Sequence, residues 1–124
     1  MIQKLLILAL GLFFIIAGIN HFVQPEFYYP LIPNYFPWPG FINYLSGVME
    51  IILGLGVLMP SGRKVSAWGI MVLMILFIPS HVYFIQIGSC VPDGLCVPPW
   101  LAWVRLVIIH PLLMVWAFYV SKTK

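Results

Sequence analysis

Tyr44-Leu45-Ser46-Gly47-Val48-Met49-Glu50-Ile51-Ile52-Leu53-Gly54-Leu55-Gly56-Val57-Leu58-Met59 is an apolar run with one carboxylate, Glu50, near its centre. Three further apolar stretches flank it. The four read as helices over roughly Leu5–Val23, Asn43–Met59, Val65–Ile87 and Leu101–Val120, lengths that cross or nearly cross a hydrocarbon core of about 30 Å. The second is short and is expected to begin inside the loop before it. Hydrophobic residues make up 63% of the chain, charged residues 7%, and mean hydropathy is +1.07, which places the protein in the membrane. The expected fold is all-α, a four-transmembrane-helix bundle forming one domain over residues 1–124.

The basic residues outside the spans are Lys4, Arg63, Lys64, Lys122 and Lys124, in the segments that share one side of a four-span protein. By the positive-inside rule that side is cytoplasmic, which leaves Glu26 and Asp93 outside. The net charge of +3 then reflects topology, and no nucleic-acid partner is expected. Met1–Ala17 also has the look of a secretory signal, but no small-x-small cleavage pattern follows, so an uncleaved first helix is expected. The loop Gln24–Ile42 carries Pro25, Pro30, Pro33, Pro37 and Pro39 among Phe27, Tyr28, Tyr29, Tyr35, Phe36 and Trp38. Such a segment cannot be one regular helix and is expected to lie along the interface as an aromatic anchor, with a lid over the bundle as the alternative. Pro60-Ser61-Gly62-Arg63-Lys64 is a short turn that makes the second and third spans a hairpin.

Each span places a polar group toward the same side. At 1.5 Å per helical residue, Glu50 lies about 10 Å deep, His81 about 9 Å and Arg105 about 6 Å, with Asn20 and His21 near the outer end of the first span. Charges at such depth are costly and are expected to face inward and find partners, so a Glu50–Arg105 ion pair extended by His21 and His81 is predicted. Asn43, Gly47, Glu50 and Gly54 share one helical face, as do Gly11, Phe14, Gly18 and His21; the small residues would let the two helices approach closely. Pro79 and Pro111 invite kinks. His110, five residues beyond Arg105, falls about 140° away on a regular helix and is a weaker candidate. The polar layer could equally serve only to set helix register. No metal-ligand spacing appears among the histidines and cysteines. Cys90 and Cys96 flank Pro92-Asp93-Gly94 on the oxidising side and are expected to form a disulfide, either a structural staple or a redox-active pair.

Ala17-Gly18-Ile19-Asn20-His21-Phe22 with Pro25, Ser46-Gly47-Val48-Met49-Glu50-Ile51-Ile52-Leu53-Gly54, Pro60 and Arg63 with Ala67 and Gly69, Phe77-Ile78-Pro79-Ser80-His81, and Trp103-Val104-Arg105 together resemble the DoxX-like membrane proteins (DoxX/MauE-type). The order and spacing of these pieces carry the likeness from about Gly11 to Trp116. His81 departs from the family's usual Asn, and the Cys90–Cys96 loop looks like a local addition. The resemblance implies a bundle in the bacterial inner membrane, associated with redox systems that use quinones or thiols. It also implies a polar pocket at His21, Glu50, Arg105 and His81, beside Asn20 and Asn43. A redox-associated subunit holding a quinone or other small amphipathic ligand is therefore expected, with membrane lipid and a redox protein as partners. The alternatives are an assembly or accessory protein and a small lipid- or sterol-modifying enzyme.

Overall fold

A computed structural model describes all 124 residues, Met1–Lys124. Four helices long and apolar enough to cross a membrane make this a multi-pass membrane protein with no named strand. The first is α1, Ile2–Val23. A short helix, α2 (Pro25–Tyr28), and a 3₁₀ turn, Tyr29–Leu31, break up the proline-rich loop. The second span, α3, runs from Pro39 to Leu58 and does begin inside that loop, because a proline at the first helical position is preset for helix and has no N–H to leave unpaired. Next comes α4, Arg63–Gln86, with Pro79 inside it.

The fourth span is interrupted. It starts as α5 (Pro99–Val104), widens into a π-helical turn over Arg105–Ile109, and resumes as α6 (His110–Ser121). Pro111 explains the position of that turn. Proline cannot donate to the carbonyl four residues back and its ring crowds that carbonyl; an i→i+5 turn relieves both constraints, with the His110 amide bonding to Arg105 O.

Two helix pairs build the bundle. Along α1 and α3 the glycine stripes meet backbone to backbone: a Cβ at Gly18 would lie 2.6 Å from Gly47 O, one at Gly47 2.8 Å from Gly18 O, and one at Gly54 2.7 Å from Gly11 O. Small residues are thus obligatory on this seam, as close membrane-helix packing requires. The α4–α6 pair is stitched by His110, whose Nε2 donates to Met74 O at 2.6 Å. At the end that holds both termini, the pairs close on a common core that includes Leu10, Phe14, Val57, Ile70, Ala117 and Val120. There Trp116 Nε1 also donates to Leu6 O at 3.1 Å. At the opposite, loop-bearing end a smaller cluster of Leu31, Phe84, Val91 and Ala102 joins the proline-rich loop to α4, α5 and the third loop.

That third loop is closed by the Cys90–Cys96 disulfide. Val91 N–H donates to Leu95 O at 2.8 Å across it, and Asp93 takes a positive φ of 58° at the tip. Aspartate tolerates this left-handed geometry better than most residues.

Candidate functional site

Between the two helix pairs, at the depth of Glu50, lies a cavity of about 840 Å³ whose walls are mainly apolar. Its size falls within the range of small-molecule sites. His21, Asn43, Glu50, His81 and Arg105 all border it, so five of the six residues singled out in the sequence converge there. Asn20 does not. Its amide instead donates to the Tyr28 hydroxyl at 2.7 Å, because it sits one residue round the helix from His21.

The polar groups occupy two opposed walls. On the α1–α3 wall, Asn43 Nδ2 donates to His21 O at 2.9 Å, which fixes the amide so that its oxygen lies 2.6 Å from His21 Nδ1. An amide oxygen only accepts, so Nδ1 carries the imidazole hydrogen. The other ring nitrogen, Nε2, lies 3.5 Å from Glu50 Oε2. This is close enough for an ion pair but lacks hydrogen-bond geometry, and Glu50 Oε2 has no hydrogen-bond partner although Glu50 is only 5% exposed. The Tyr28 ring stacks on His21 with centroids 3.8 Å apart.

On the α4–α6 wall, the Arg105 guanidinium stands over the Phe84 ring, 5.9 Å from its centroid, a cation–π distance. The His81 and His110 rings meet edge to face at 4.7 Å. His110 must be a Nε2–H tautomer, since Met74 O can only accept.

The predicted Glu50–Arg105 ion pair is absent; within 4.0 Å the carboxylate meets His21 alone. The glycine seam explains the difference. It draws α3 onto α1 and carries Glu50 to His21, while Phe84 holds Arg105 on the far pair, leaving the cavity between them. The low rank given to His110 is also corrected, because the wider π turn rotates residues five apart closer to one face than a regular helix does, and both Arg105 and His110 border the cavity. The adjacent Pro111 was the one sequence signal of that irregularity.

Sequence reasoning also underrated the proline-rich loop as a roof. Tyr28, Leu31, Ile32, Pro33 and Phe36 border the cavity, and Leu31 and Pro33 are buried. Tyr35 and Trp38, 65% and 75% exposed, point outward as an interfacial anchor would. The loop therefore has the geometry of both lid and anchor.

The family model described as Domain of unknown function (DUF8561) matches residues 10–121. No curated protein and no solved structure matches the chain.

Proposed function

The chain belongs to that family, DUF8561, whose description assigns no reaction, and we propose from the geometry that it is an intramembrane binding protein for a small amphipathic molecule of the quinone class. The carrying observation is the buried, unpartnered Glu50 Oε2 on the wall of a largely apolar cavity. An isolated polar atom is expensive to bury, and a ligand hydroxyl or carbonyl partnered through this acid–imidazole pair would relieve that cost.

The donor set fits such a ligand. Glu50 and His21 can exchange donor and acceptor roles at one wall, whereas Arg105, a permanent donor, faces the cavity from the other. A ring with oxygens on opposite edges would be held at both. When bound, a quinone would supply electron carriage within the membrane; the chain's own residues would orient its head and keep water away from it. The DoxX-like resemblance adds the redox association to this reading, and the Lys/Arg distribution adds a cytoplasmic membrane with both termini inside.

Organic extraction of protein purified from native membranes tests the proposal. A quinone or related lipid is expected to be enriched over a detergent-matched control, and to be lost from Glu50→Gln and Arg105→Met. Equal extracts from the wild type and both variants would instead favour an assembly or accessory role.

A further inference from the structure

The proline-rich loop roofs the loop-bearing end of the cavity. Leu31 and Pro33 are buried in that roof. The α1–α3 seam is closed by backbone contact at two levels. By contrast, the hydrogen bond that ties α1 to α6, from Trp116 Nε1 to Leu6 O, lies toward the termini.

On this looser side, Phe13 and Ala17 of α1 and Tyr28 of α2 border both the cavity and a separate groove of about 400 Å³. Ile16 and Ile19 form part of the groove and are exposed on the outer face of α1. At its loop end stands Asn20, bonded to the Tyr28 hydroxyl. Tyr28 therefore forms the partition together with Phe13 and Ala17. Its ring stacks on His21, a cavity residue, and its hydroxyl is held by Asn20, a groove residue.

We propose that the ligand is a membrane-dissolved lipid with a polar head and a long apolar tail, whose head occupies the cavity and whose tail passes Tyr28 into the groove on α1. This rests on the binding-site reading above and adds the tail, its path and loading from the bilayer. The groove presents isoleucine, phenylalanine and valine side chains to acyl chains and no formal charge, so a tail lying there remains in apolar surroundings.

Two probes separate head from tail: decylubiquinone and the same benzoquinone ring without its decyl tail. Binding of each, tritiated, is measured on the full chain in phosphatidylcholine nanodiscs. Ile16→Trp and Ile19→Trp fill the groove from the lipid side, where a larger apolar residue leaves the helix seams untouched. Val72→Trp, on the exposed face of α4 and outside both the cavity and the groove, is the control. Either groove substitution is expected to weaken decylubiquinone at least tenfold and leave the tailless ring unchanged, while Glu50→Gln weakens both probes. If Glu50→Gln weakens both but the groove substitutions act no differently from Val72→Trp, the tail path is wrong and the binding site stands. If neither probe binds the unsubstituted protein, or Glu50→Gln changes neither, the binding-site reading fails and this inference with it.

Discussion

Asn43 holds His21 at two points, donating to its backbone oxygen at 2.9 Å and accepting from its Nδ1 at 2.6 Å, and so turns the opposite ring nitrogen toward Glu50. A single amide thereby sets both the tautomer and the aim of the histidine. Asn43→Leu removes both bonds in a buried site, leaving the His21 carbonyl and Nδ1–H without partners. Thermal unfolding in detergent is expected to reveal a loss on the order of 1–3 kcal/mol. Asn20→Ala, which breaks one bond at a half-buried position, should cost less; equal losses would remove Asn43 from its central place.

Glu50 is expected to couple energetically to His21 more than to Arg105. A double-mutant cycle of Glu50→Gln with His21→Phe should give an interaction energy within the roughly 0.5–3 kcal/mol typical of residues in contact. The cycle of Glu50→Gln with Arg105→Met should give a smaller one, since the two face each other across the cavity and do not touch. A larger Glu50–Arg105 term would restore the ion pair expected from the sequence.

The glycine seam makes a sharper stability prediction. Gly18→Ala and Gly47→Ala each place a methyl within 2.6–2.8 Å of a facing backbone oxygen, which cannot move without separating the helices. Each is expected to cost about 1–3 kcal/mol, the usual price of overpacking. Gly40→Ala, whose new methyl would meet nothing nearer than Tyr29 Oη at 3.9 Å, should be neutral or mildly stabilising. Melting curves of the three variants side by side provide the check.

Replacing Cys90 and Cys96 together with Ser is expected to leave the bundle folded, lowering stability by about 2 kcal/mol or less. Most of the core lies at the other end of the molecule. Non-reducing mass measurement of the unsubstituted protein should find no free thiol.

In that cysteine-free background, Ser61→Cys and Glu26→Cys are expected to label from opposite sides of the membrane, Ser61→Cys from the cytoplasm, as the Lys/Arg asymmetry requires. Labelling of Ser61→Cys from outside would invert the topology.

Composition and the lengths of the apolar runs were enough to determine four membrane-long helices, because the bilayer demands continuous hydrophobicity and internally paired backbone. Helical period likewise exposed the glycine stripes of α1 and α3 and the inward aim of His21, Asn43 and Glu50, since these depend only on positions along one helix. Which polar groups actually meet was not legible in this way. Period places a side chain on a face but says nothing of which face of another helix lies opposite, so Glu50 was matched with the strongest opposite charge when the α1–α3 seam delivers it to His21. His110 was misplaced because a regular turn was assumed where Pro111 forces a π turn, and one added residue per turn is enough to rotate a side chain into the cavity. Only the tertiary structure decided that two tightly sewn helix pairs stand apart beneath a proline-rich roof, because that separation comes from unequal packing between helices and leaves no period in the chain.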